Sequence, residues 1–126
     1  MREVLADAPA QLQHLVDGAD LLFFHGYAPM TCLGSVETMP TKGGAPTPVS
    51  LGKSGAGVSS IAADAGFVYW STPVDGGLVF RAARGGGMPE VIAKDQAGVR
   101  AVALDASRVY WIAVGPTGDE VRAIQK

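Results

Sequence analysis

Along this chain the apolar residues come in short runs, with glycine, aspartate and proline falling between them. That punctuation predicts strands joined by turns. It is clearest in the middle of the sequence, where Ser59–Ala63, Phe67–Ser71, Leu78–Ala83 and Glu90–Ala93 each have strand length and stop at a turn signal. Within Leu78–Ala83 the period is two, so Val79 and Arg81 point opposite to Leu78 and Phe80. Asp64-Ala65-Gly66 and Arg84-Gly85-Gly86-Gly87 supply the residues that tight turns tolerate. The 17 glycines and 8 prolines are spread through the chain rather than gathered in one tail, which extends the all-β reading to its full length.

The same text is written more than once. Ser59–Trp70, SSIAADAGFVYW, and Arg100–Trp111, RAVALDASRVYW, share Ala62/Ala103, Asp64/Asp105, Ala65/Ala106, Val68/Val109, Tyr69/Tyr110 and Trp70/Trp111. Leu12–Phe24 is a weaker copy, with Asp17 in the aspartate place and Leu22-Phe23-Phe24 for Val-Tyr-Trp after one inserted residue. Downstream, Ser35–Pro46 matches Leu78–Pro89 in its valine, its paired glycine and its proline, and Glu120–Lys126 restarts that unit. Glu3-Val4-Leu5-Ala6 resembles Glu90-Val91-Ile92-Ala93. A unit of four antiparallel strands recurring about every 42 residues is the arithmetic of a β-propeller blade.

The pattern I-A-x-D, V-Y-W, then V-x-R and G-G-x-P resembles the YWTD repeats of low-density-lipoprotein-receptor-type six-bladed propellers, and their bacterial VYW-repeat relatives more so. It is carried by Asp64, Tyr69, Trp70, Arg81, Gly86, Gly87, Asp105, Tyr110 and Trp111. Ser71-Thr72 and Ile112-Ala113 stand where the receptor repeats have Thr-Asp, so receptor ligand specificity does not transfer. The resemblance implies a rigid scaffold used for binding, in a family found mostly in secreted or cell-envelope proteins.

Residues 1–126 therefore read as one unit of three blades in the strand order d, abcd, abcd, abc. Propellers close with roughly four to eight blades, so three leave a half-ring. The expected resolution is a homodimer forming a six-bladed ring, with strand Arg2–Ala6 of each copy completing the last blade of the other. A fragment of a longer single-chain propeller is the competing reading.

Composition narrows the partners. With 10 basic and 12 acidic residues the formal charge is −2, and no basic face is written for nucleic acid. No run reaches the roughly 20 apolar residues of a membrane helix. The start, Met1–Asp7, lacks the basic-then-apolar layout of a signal peptide. One cysteine, Cys32, allows no internal disulfide and no cysteine-rich zinc site.

Most residues that look chemical have a structural reading. Trp70, Trp111, Tyr69, Tyr110, Phe23 and Phe24 recur at strand centres, where large side chains fill the space between blades. Asp64 and Asp105 precede turns and are expected to cap them. His14 aligns with Ile61 and Val102 on an inner strand, where a histidine facing the channel could act as a base or a metal ligand. His25, Tyr27 and Cys32 are placed in a long loop, His25–Gly34. Gly52-Lys53-Ser54 lacks the upstream glycine of a phosphate loop.

Loops that differ between units are where recognition is expected on a repeating scaffold. The b–c connections His25–Gly34, Thr72–Gly77 and Val114–Asp119 and the neighbouring d–a connections share one end, nominating His14, His25, Tyr27, Lys53, Asp75, Gln96 and Asp119 as ligand-binding candidates. The functional expectation is a non-enzymatic, self-assembling propeller scaffold for a protein or glycan ligand, with no cofactor or metal. The alternative is a hydrolase or lyase with a channel site.

Overall fold

The computed structural model describes residues 11–17, 21–28, 33–45, 47–52, 58–73, 76–84 and 88–126, with side chains at 36–45, 47, 58–73, 76–84 and 88–126. The chain is all-β, and among the described residues eleven strands form three antiparallel meanders. The first sheet holds β1 (Gln11–Asp17), β2 (Leu21–Ala28), β3 (Leu33–Pro40) and β4 (Thr47–Gly52), side by side in that order. The second holds β5 (Ser60–Ala63), β6 (Phe67–Thr72), β7 (Leu78–Ala83) and β8 (Glu90–Ala93). The third holds β9 (Arg100–Leu104), β10 (Arg108–Gly115) and β11 (Gly118–Gln125).

The turns form for the reason the sequence suggests. Asp64 Oδ1 accepts the backbone N–H groups of Gly66 (2.9 Å) and Phe67 (2.8 Å). Asp105 Oδ1 does the same for Ser107 (2.8 Å) and Arg108 (2.7 Å). Each carboxylate thus satisfies two donors that the reversal of chain direction would leave unpaired.

Period-two alternation then divides each strand between two neighbouring sheets. In β6, Val68 and Trp70 point toward the first sheet and pack with Val36, Val58, Ile61 and Phe80. Tyr69, on the opposite face, packs with Val79, Val99, Val102, Val109 and Trp111, toward the third sheet. The second sheet is therefore buried on both faces. Trp70 stacks on Phe80 with ring centroids 5.5 Å apart. The two cores use the same positions: Val36 with Val58, Ile61, Val68 and Trp70 in one, and Val79 with Val99, Val102, Val109 and Trp111 in the next.

Polar links stitch the inner strands together as well. Ser59 Oγ donates to the carbonyl of Val99 (2.8 Å), and Val102 N donates to Ser60 Oγ (2.9 Å). Val102 N is turned away from its own ladder by a register shift in β9, where Ala101 has φ of 56°.

Three expectations change. β2 keeps pairing with β3 through His25↔Val36, Tyr27↔Gly34 and Ala28↔Leu33, so His25 and Tyr27 lie in a strand rather than a loop. The expected loop Val114–Asp119 shrinks to a tight hairpin, because β10 and β11 pair out to Gly115↔Gly118, where Gly118 takes φ of 143°. Asp17 pairs with Leu22 as Ala63 pairs with Val68, so it lies in strand β1, one place before the turn position held by Asp64.

Candidate functional site

The valines in register on the third strand of each sheet differ in what covers them. Val36, Val79 and Val121 hold equivalent places, paired respectively with His25, Ser71 and Ile112. Val36 and Val79 are 0% exposed, each covered by the next sheet, whereas Val121 is 76% exposed. Tyr110, Ile112 and Val114 share its face of the third sheet by the register Tyr110↔Ala123, Ile112↔Val121 and Val114↔Asp119. Tyr69 is fully buried, yet its counterpart Tyr110 is only half-buried, and Val114 is exposed. Among the described residues nothing covers this apolar face.

One edge of the same sheet is also open. β7 pairs with β8 through Val79↔Ala93, Phe80↔Val91 and Arg81↔Glu90. β11, which occupies the place of β7, ends its sheet, and no described strand lies beyond it. An unpaired row of N–H and C=O groups is a template for another strand.

A charged clasp marks the rim where the second and third sheets meet. Lys126 Nζ, at the end of the third sheet, reaches Asp64 Oδ2 in the turn of the second at 2.7 Å. The same ammonium lies 5.9 Å from the centre of the Tyr69 ring. Partial burial pushes Asp64 up, but Lys126 and the N–H groups of Gly66 and Phe67 offset this and leave it below the usual carboxylate range. The bond to Asp64 holds Lys126 above its ordinary value. Burial, then the Asp64 charge, raise Tyr69, which stays a neutral phenol. Its hydroxyl sits beside Arg81 without completing a well-formed hydrogen bond. Arg81 is committed elsewhere, with Nε 2.9 Å from Glu90 Oε2 and the guanidinium 4.9 Å from the centre of the Phe67 ring.

No known family model matches this sequence, and no curated protein does. The arrangement of the side chains themselves must carry the functional reading.

Asp105 differs from Asp64 in its partner. Asp105 Oδ2 accepts the Tyr110 hydroxyl at 2.5 Å. That bond, with the N–H groups of Ser107 and Arg108, brings Asp105 down to about 2 and raises Tyr110. Among the described residues, the aspartate of the repeated pair takes the tyrosine hydroxyl at Asp105 and the Lys126 ammonium at Asp64.

Of the nominated ligand-binding residues, the side chains of Gln96 and Asp119 are among those described. Gln96 Oε1 accepts the Trp111 indole N–H (2.9 Å) and Arg122 Nη1 (2.8 Å), and its Nε2 donates to the Lys94 carbonyl (2.5 Å). Asp119 Oδ2 pairs with Arg100 Nη2 at 2.5 Å. Both are spent on holding the connections between strands. His14 lies within the register shift of β1 between Gln13 and Val16, and His25 and Tyr27 lie in β2. Their side chains, with Lys53, Asp75 and the strand expected at Arg2–Ala6, fall outside the described residues. Among the described residues no three His, Cys, Asp or Glu side chains gather at a metal-sized site.

Sequence reasoning missed the Lys126–Asp64 clasp. The signal for it is the repeat: Arg84 donates its backbone N–H to Gly66 as Lys126 does to Ser107, so a cation recurs at the close of the third strand.

Proposed function

We propose that the chain is a non-enzymatic scaffold of the β-propeller type, in which each antiparallel sheet is a blade and two copies close one six-bladed ring. Arg2–Ala6 of each copy adds the fourth strand to the open edge of the other's β11. The supporting observation is the valine series, buried at Val36 and Val79 and bare at Val121. A repeat architecture buries its hydrophobic faces only by stacking neighbours, so a bare terminal face with interior composition asks for one more neighbour. The resemblance of Glu3-Val4-Leu5-Ala6 to Glu90-Val91-Ile92-Ala93 supports the strand addition, since the latter contains β8, the strand paired with β7. Closure also removes the edges that would otherwise invite open-ended pairing.

In the assembled ring, the end that carries the b–c and d–a connections is the surface offered to a protein or glycan ligand. Gly77, Gln96 and Val114 meet at that end, where Gln96 N donates to the Gly77 carbonyl (3.0 Å) and Val114 N to that of Ala97 (2.7 Å). A rigid rim of this kind presents its variable residues at fixed spacing.

The bare face equally suits a longer single-chain propeller, in which the next blade follows in the same polypeptide. Solution mass separates the two. Light scattering across a hundredfold range of concentration is expected to give twice the 12.9 kDa chain mass, returning to one chain for Val121→Asp. A 12.9 kDa species at every concentration overturns the two-copy ring.

A further inference from the structure

Within the chain, one interface between sheets is fully described, and it shows what a following sheet brings to the one before it. It brings apolar residues at the Val99, Val102, Val109 and Trp111 positions onto Val79 and Tyr69. It also brings a cation at its outer corner, Lys126, onto the turn aspartate of the preceding sheet. The outer face of the third sheet repeats the receiving half of this interface with Val121, Tyr110 and Asp105.

The first sheet carries the matching half. By the pairings Phe24↔Glu37 and Trp70↔Phe80, Phe24 occupies the register position of Trp70, and Leu22 that of Val68. By the pairings Leu21↔Pro40, Phe67↔Ala83 and Arg108↔Gln125, the place of Arg84 and Lys126 falls in the first sheet at Thr41. Lys42 is the next residue, and it is exposed. A lysine side chain spans about 6 Å, enough to make up one position.

We infer that the first sheet of a second copy docks on the outer face of the third, and that Asp105 then releases the Tyr110 hydroxyl and takes Lys42 of the incoming copy. The inference rests on the two-copy ring and adds the face, the polarity of docking and the charge pair. Asp105–Tyr110 is the parked form of the contact, and Asp64–Lys126 over Tyr69 is its docked form, already present one sheet earlier. No covalent step is involved. Tyr110 is buried by the incoming sheet as Tyr69 is by the third, while Asp105 exchanges a neutral donor for a charged one.

The test is the dimer dissociation constant by sedimentation equilibrium, at low and moderate salt, on the full chain. Lys42→Glu and Asp105→Asn are the probes. The asparagine keeps an oxygen for the Ser107 and Arg108 N–H groups, so the turn survives, which circular dichroism checks. An exposed ion pair is worth about threefold in affinity, and a ring closed at two identical interfaces squares this to about tenfold. Each variant is expected to weaken the dimer about tenfold and to flatten its salt dependence. Lys42→Arg, which keeps the positive charge, is expected to retain most of the affinity. A dimer unaffected by Lys42→Glu and Asp105→Asn but broken by Val121→Asp overturns the charge exchange and leaves the ring standing. A wild-type chain that stays monomeric, or a dimer indifferent to Val121→Asp, overturns both.

Discussion

Replacing the same residue at three equivalent places tests the packing most directly. Val36→Ala, Val79→Ala and Val121→Ala each remove two carbons from a strand position paired in the same way with its neighbour. The partner position on the preceding strand is shared, so differences between variants report what covers each site together with the edge position of β11. At Val36 and Val79, both 0% exposed, the transfer term is about 1.6 kcal/mol and the residual cavity brings the cost to about 2–3 kcal/mol. At Val121, 76% exposed, only about a quarter of the transfer term remains, roughly 0.4 kcal/mol, with no cavity to add. Urea unfolding followed by tryptophan fluorescence resolves this gap, at concentrations low enough for the single chain to prevail. The interior substitutions should exceed Val121→Ala by about 1.6–2.6 kcal/mol. Costs equal within about 0.5 kcal/mol would refute the assignment of Val36 and Val79 to closed interfaces and Val121 to a bare one. At concentrations where two copies associate, the cost of Val121→Ala should rise toward the interior value.

Gly77→Ala is expected to destabilise by at least about 2 kcal/mol, because Gly77 has φ of 100° and an added Cβ would stand 2.0 Å from the Gln96 carbonyl oxygen. A thermal melt measures this, and an unchanged midpoint would show that the Gly77–Gln96 contact is not close in solution. Acid should find Asp105. Its carboxyl titrates at about 2 in the folded chain against an ordinary 3.8, so its contribution is present above about 3.8 and is lost as pH falls through 2. Midpoints between pH 5 and pH 2 are expected to fall less for Asp105→Asn than for the wild type, and parallel curves would refute the assignment.

How far the sequence disclosed this molecule depended on whether a feature was local or shared between sheets. β7 and β8 match the apolar runs Leu78–Ala83 and Glu90–Ala93, because turn residues and period-two alternation act over a few positions. The capping roles of Asp64 and Asp105 were legible for the same reason. Tyr110 was not. Its sequence environment repeats that of Tyr69, so both read as core, but burial is decided by whether another sheet stands opposite, and among the described residues only Tyr69 has one. Gln96 read as a loop residue free for a ligand. Its real constraint comes from the Trp111 indole N–H, a buried donor fifteen residues away that must find an acceptor. The clasp at Asp64 was hidden in the same way, because Lys126 is 62 positions distant and meets it only after the sheets stack. What the repeat does allow is a comparison that a single copy of the motif would not: one turn aspartate with the next sheet in place, and one without. The difference between them, Lys126 at Asp64 and Tyr110 at Asp105, is what motivates the proposed contact, independent of any resemblance to other proteins. It favours a basic corner over an acidic or apolar one, which makes the exposed Lys42 a testable choice.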